Sequence, residues 1–147
     1  YLAGVKDLFN GELVGYAMSE RMTKSLVQQA LFRAVSKKRP PPGLMHHSDR
    51  GSQYCSHDYR KMLRQFGMTA SMSRKGDCWD NAPMESFWGT LKNELVHHRK
   101  YFTREQAKSE ITEYIEIFYN RMRKQKRLGY LSPAAFTQKY YANKLAA

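Results

Sequence analysis

The chain reads as a mixed α/β protein, a sheet with helices packed on its faces. Three observations predict it. Two strand-like runs near the N-terminus flank a tight turn, and helix-period segments then alternate with short apolar runs. At 147 residues, 41% of them hydrophobic, the chain is long enough to bury one core.

The elements follow in order. Tyr1 to Asp7 and Glu12 to Met18 read as strands around Phe9-Asn10-Gly11, a hairpin signal. Thr23 can cap a helix whose apolar positions Leu26, Val27, Ala30, Leu31 and Ala34 keep the three-and-four spacing. That helix must stop before Pro40-Pro41-Pro42-Gly43, because consecutive prolines remove donors and forbid continuation. Gly43 to His47 is then a short strand with Asp49 at its C-terminal end. Ser56 can cap a further helix with Tyr59, Met62, Leu63 and Phe66 on one face and Gly67 as its stop. Met68 to Met72 reads as another strand, and Ser73 to Asn81 as a loop.

Asn81 and Pro83 are start signals for the next helix, on which Met84, Phe87, Trp88, Leu91 and Leu95 share one apolar sector. Thr103 to Asn120 is the last clear helix. Ala107, Ile111, Tyr114, Ile115 and Phe118 should face inward, and Thr103 with Gln106 can form a capping box. A basic run from Arg121 to Arg127 and a turn-rich Gly129-Tyr130-Leu131-Ser132-Pro133 come after it. No internal repeat is visible.

The formal net charge is +12, from 25 Lys and Arg against 13 Asp and Glu. A balance of that size draws polyanions, nucleic acid first among them. An anionic membrane surface is the rival, but no segment carries a long basic amphipathic face, and none approaches the roughly 20 apolar residues of a span. The opening residues Tyr1-Leu2-Ala3-Gly4-Val5-Lys6-Asp7 do not read as a basic region followed by an apolar signal segment. Cys55 and Cys78 make no disulfide framework and suit a reducing cytoplasm. The chain opens without Met and inside a strand, so a fragment of a longer protein is expected.

Two acids stand out against this basic background. Asp49 follows the short strand, within His46-His47-Ser48-Asp49-Arg50-Gly51-Ser52-Gln53-Tyr54, and Glu85 sits on the first turn of a helix. In open α/β sheets sites form at the carboxyl ends of strands, where Asp49 falls. Carboxylates from a strand end and a helix start can converge on a divalent metal that polarises a phosphoryl oxygen. Lys92, seven positions past Glu85, stacks on the same helix flank and can reach a phosphate.

Plainer readings stand beside these. Asp before Arg-Gly-Ser is a good turn former, and an exposed Glu and Lys commonly do nothing. His46 and His47 could ligate a metal, yet a strand His is more often packed or hydrogen-bonded, and the His and Cys spacings match no familiar zinc pattern. Arg74, Lys75 and Trp79 could hold phosphate and stack on a base. Arg121, Arg123, Lys124, Lys126 and Arg127 form a phosphate-attracting strip. Asp77 and Asp80 read as loop-solvating.

Taken together, His47 to Tyr54 and Ser73 to Asn93 resemble the catalytic core of bacterial insertion-sequence transposases with a retroviral-integrase-type domain. The 35 residues from 50 to 84 match that family's interval between its second Asp and its Glu. Lys92 matches the accompanying basic residue, and Tyr119-Asn120 through Leu128-Gly129-Tyr130-Leu131-Ser132-Pro133 resembles the C-terminal signature.

The resemblance implies a ribonuclease-H-like mixed sheet flanked by helices. It also implies two Mg²⁺ or Mn²⁺ ions held about 4 Å apart by an Asp-Asp-Glu triad, and strand transfer at transposon ends and target DNA by a homo-oligomer. Asp49 and Glu85 would be the catalytic, metal-holding pair. Lys92, Arg74, Lys75, Arg121, Arg123, Lys124 and Arg127 would bind DNA.

Two departures count. The family's first Asp lies on a strand preceding Tyr1, so the sheet lacks its first strand and the chain alone is expected to be inactive; Asp7 aligns with a different acid. Gln125 also stands where the family more often has His. The expected organisation is a core over 1–120 with a basic tail over 121–147, in a cytoplasmic protein. A non-catalytic DNA-binding or assembly fragment, or another nuclease of the same fold, is the alternative.

Overall fold

The computed structural model describes residues 1–74 and 78–147, with the backbone alone for Cys78 and Trp79. The expectations for Lys75, Asp77 and the side chains of Cys78 and Trp79 lie outside the described residues. The chain divides into two compact units, one of Tyr1–Val5 and Val14–Trp88, the other of Lys6–Leu13 and Gly89–Ala147.

Strands β1 (Leu2–Lys6) and β2 (Leu13–Met18), which belong to the first unit except for Lys6 and Leu13, form the expected hairpin. Its sense is fixed by Ser19 N–H donating to Tyr1 O and Asp7 N–H to Glu12 O. Helix α1 (Lys24–Lys38) begins at Thr23, whose hydroxyl accepts from Leu26 N–H, and buries all five expected apolar residues. It closes on Arg39, held left-handed at φ 45° immediately before the prolines. Gly15 lets this helix come close to β2, since a Cβ there would run into Ala30 O and the Ala34 backbone. Leu26 and Leu31 are almost wholly buried, worth roughly 1.5–3 kcal/mol each.

Strand β3 (Met45–Ser48) is followed by a single turn α2 (Ser52–Cys55), not anticipated, and by α3 (His57–Gln65). Ser56 caps α3 as expected. Gly67 at φ +68° ends it, with Met68 N–H reaching back to Leu63 O. Tyr59 and Leu63 complete the core of α1 and the hairpin. Strand β4 (Thr69–Met72) lies parallel to β3, Met45 beside Thr69 and Ser48 beside Met72.

The single mixed sheet expected from the sequence is thus present as two two-stranded pieces, β1–β2 and β3–β4. Among the described residues no strand pairs with the second edge of β1 or of β3, and Leu44 and Met45 are exposed accordingly. Helix α4 (Ala82–Glu94) begins one residue after Asn81. Phe87 and Leu91 are buried, while Met84, Trp88 and Leu95 are only half-buried, so its apolar sector is narrower than expected.

The second unit is built on the hairpin tip. Gly11 takes φ +77° and donates to Asp7 O, and Asp7 caps Phe9 N–H with its carboxylate. Helix α5 (Arg104–Glu113) is capped by Thr103, and Gln106 returns its side chain to Phe102 N–H rather than to Thr103. The expected α-helix to Asn120 instead widens into a π-helix over Tyr114–Met122. With bonds five residues apart, buried positions repeat as Tyr114 with Tyr119 and Ile115 with Asn120. Phe118, expected inside, is therefore left exposed.

A further helix, α6 (Pro133–Ala146), was not anticipated; Ser132 caps it and Pro133 fills its first turn. Phe9 packs edge-on against Phe136 and Tyr140 of α6, and Asn10 Nδ2 donates to Thr137 Oγ1 at 2.8 Å.

Candidate functional site

The end of β3 carries the first acid. After Ser48 the chain turns, and Gly51 N–H donates to Asp49 Oδ1 at 2.7 Å. The turn-forming role of Asp49 is therefore real, and it holds one carboxylate oxygen in a set place on an exposed residue. A Cβ on Gly51 would lie 2.8 Å from that oxygen, so glycine leaves the room the carboxylate needs. Tyr54 is close enough that the Asp49 charge, after burial, pushes its hydroxyl pKa up.

The histidines before Asp49 are hydrogen-bonded. His46 Nε2 and the Tyr59 hydroxyl are hydrogen-bonded at 2.9 Å. Burial, with His47 adding repulsion, pulls the His46 pKa down to about 4, and burial pushes that of Tyr59 up. The imidazole is neutral and the phenol protonated at ordinary pH. His47 sits with Nδ1 at 3.0 Å from Ser71 Oγ and Nε2 at 3.2 Å from Ser73 Oγ.

Glu85 stands exposed on the first turn of α4. Asp49 and Glu85 belong to the same compact unit, and Ser73 joins their elements. Ser73 N–H donates to Ser48 O at 3.0 Å, its carbonyl accepts from Arg50 Nε at 2.8 Å, and its hydroxyl bonds to Asn81 Oδ1. Asn81 is the residue before α4. Local sequence pattern makes Ser73 a loop residue and Asn81 a helix start, and the bond between them spans two elements that no such pattern connects.

Arg74 approaches Asp80 through its backbone N–H at 2.9 Å and its Nε at 3.6 Å. The Arg74 backbone bond and guanidinium hold the Asp80 carboxyl below its usual range. Lys92 is exposed on the later turns of α4, in the second unit with Arg121, Arg123, Lys124 and Arg127.

These four basic residues of the strip differ. Arg123 grips Glu94 through Nε at 2.8 Å and Nη2 at 2.6 Å, while the Tyr114 hydroxyl donates to the same carboxylate at 2.6 Å. Burial pushes the Glu94 carboxyl up, but Arg123 and Tyr114 outweigh it and the net shift is downward. Arg127 lies against the hairpin tip, with Nη1 3.5 Å from Leu8 O. Arg121 and Lys124 are exposed.

Two exposed carboxylates from separate elements are the oxygen donors that hard cations such as Mg²⁺ and Mn²⁺ take. Among the described residues no group of three or more His, Cys, Asp or Glu could hold a metal. The pair fits part of such a site in kind.

The integrase core domain matches residues 1–78, and a second integrase core domain description matches residues 85–140. The chain belongs to the integrase core domain family. The transposase for insertion sequence element IS904 of Lactococcus lactis subsp. lactis (strain IL1403) is 48% identical over 140 residues, covering 95% of this chain and 55% of that protein. Transposase InsF for insertion sequence IS3A of Escherichia coli (strain K12) is 42% identical over 142 residues, covering 97% and 49%.

The insertion element IS600 31 kDa protein of Shigella sonnei is 62% identical over 141 residues, covering 96% and 52%. The chain thus spans about half the length of these relatives. In three dimensions it resembles the HTLV-2 integrase catalytic core domain, solved in complex with magnesium in a trimeric form. The TM-score is 0.65 at 14% identity, over 89% of this chain and 80% of that one. A chain of the simian T-cell lymphotropic virus intasome also gives a TM-score of 0.65, at 18% identity over 80% and 42%. The fold is that of integrase catalytic cores, ribonuclease-H-like.

Proposed function

We propose that this integrase core performs metal-dependent DNA strand cleavage and strand transfer in transposition, as part of a polynucleotidyl transferase. The observation that carries the reading is the Ser73 link, which ties the strand end bearing Asp49 to the start of the helix bearing Glu85.

Asp49 and Glu85 would hold Mg²⁺ or Mn²⁺, two ions in the complete site. Bound, such ions supply charge neutralisation at the attacking and leaving oxygens of an in-line displacement. The chain's own residues do the rest. Gly51 N–H keeps the Asp49 carboxylate oriented, and Arg74, Lys75, Lys92, Arg121, Lys124 and Arg127 attract the phosphate backbone. Arg123, paired with Glu94, belongs to the same phosphate-attracting strip. The +12 charge supports DNA, transposon ends and target, as the partner.

The edges of β1 and β3 that no strand among the described residues pairs support an upstream strand that carries the first Asp. On this reading residues 1–120 make the core, 121–147 are its basic C-terminal part, and the chain alone is inactive. No helix among the described residues is long and apolar enough to cross a membrane; a homo-oligomer acting on DNA in the bacterial cytoplasm, at the nucleoid, is the setting proposed.

The test uses the full-length protein. Asp49→Asn and Glu85→Gln should each lower strand transfer at least about a hundredfold while DNA binding stays. Retained activity in both variants rejects the reading. Cleavage of an RNA–DNA hybrid without action on terminal repeats would point instead to a nuclease of the same fold.

A further inference from the structure

Ser73 is 3% exposed, and each of its polar groups is used. Beside the parallel pairing of Ser48 with Met72, the next residues Asp49 and Ser73 leave their strands together. Ser73 N–H already secures the backbone to Ser48 O. The hydroxyl is then not needed for the strand pairing, and it is spent elsewhere. Its single proton goes to Asn81 Oδ1, with Ser48 O at 3.2 Å as the alternative acceptor. His47 Nε2 lies 3.2 Å from the same oxygen, and His47 Nδ1 lies 3.0 Å from Ser71 Oγ.

The residues gathered on this one oxygen flank the two acids. His47 and Ser48 immediately precede Asp49, and Asn81 is one helical turn before Glu85. Arg50 Nε, from the residue after Asp49, closes the group on Ser73 O. Asp49 and Glu85 are themselves exposed and so gain no fixed position from packing. A buried polar group shared between their two elements supplies one, in the way that supporting hydrogen bonds orient metal ligands generally.

We propose that Ser73 is a positioning residue: through Asn81 and His47 its hydroxyl sets the start of α4 against the end of β3, so that the Asp49 and Glu85 carboxylates face one metal site. This rests on the metal-site reading given above. Removing the hydroxyl keeps the backbone bond, so the strand register survives while the helix start loosens.

The test needs no catalytic turnover. The full-length protein and its variants Ser73→Ala, Ser73→Thr, Asn81→Ala, Asp49→Asn and Glu85→Gln are compared by amide exchange in the first bonded turn of α4 (Ser86 to Trp88) and by Mn²⁺ titration. The pin predicts about tenfold faster exchange and about tenfold weaker Mn²⁺ binding for Ser73→Ala and Asn81→Ala, with both restored by Ser73→Thr. Unchanged exchange overturns the pin, and so does faster exchange with unchanged Mn²⁺ affinity. If instead Asp49→Asn and Glu85→Gln leave Mn²⁺ binding untouched, or the unsubstituted full-length protein binds none, the metal-site reading fails. The exchange result then still decides whether Ser73 holds the helix.

Discussion

Asn120 holds Leu13 by both of its backbone groups, accepting from Leu13 N–H at 2.9 Å and donating to Leu13 O at 3.1 Å. Both residues are buried, and the contact spans 107 positions of sequence. An amide in this orientation acts as one more rung of a sheet. Asn120→Ala leaves a buried donor and a buried acceptor without partners, each costing about 1–3 kcal/mol. The expected loss is roughly 2–4 kcal/mol, read from urea unfolding with an unchanged slope.

The basic strip should divide in two. Arg123→Ala breaks the ion pair with Glu94, whose side chains are 27% and 34% exposed. Discounted for that exposure, the loss is about 1–2 kcal/mol. Arg121 and Lys124 have no such partner among the described residues, and Arg121→Ala and Lys124→Ala should leave the melting temperature within about a degree. They should instead lower the salt slope of DNA binding by about one each. Equal melting temperatures for all three variants would contradict this division.

Acid should destabilise the first unit through His46. Its folded pKa, pulled down to about 4 by burial, lies below the ordinary 6.5. The unfolded chain therefore binds more protons between these values, and stability rises with pH across that window. It is complete above about 6.5 and falls away toward pH 4, by at most roughly 3 kcal/mol. Thermal melts of the chain and of His46→Gln, from pH 7.5 to 4.5, should show a shallower decline in the variant.

Gly15 is needed for contact distance rather than for backbone conformation. A methyl at this position meets Ala30 O and Ala34 of α1, both of them backbone-anchored. Gly15→Ala should cost about 1–3 kcal/mol, whereas Gly89→Ala, with nothing within 4 Å of the added carbon, should stabilise α4 slightly. Denaturant midpoints of the two variants check the contrast.

Much of the first unit was legible because its signals are local. Thr23 and Ser56 cap their helices, and the spacing from Leu26 to Ala34 needs only the helical period. The second unit was less so. The π-helix over Tyr114–Met122 changes the period itself, and its buried Asn120 answers Leu13, which no window of neighbouring residues contains. α6 was missed for the same reason: Phe136 and Tyr140 pack on a hairpin tip formed near the N-terminus. At the site, Asp49 and Glu85 announced themselves by type and interval. Ser73 did not, since a serine beside a loop carries no pattern until β3 and β4 lie side by side.

The most direct measurement is anomalous diffraction from crystals of the full-length protein grown with Mn²⁺. A manganese peak is expected with oxygens of both Asp49 and Glu85 within about 2.0–2.3 Å of the bound ions. Manganese held elsewhere, with the two carboxylates directed to separate surfaces, would contradict it.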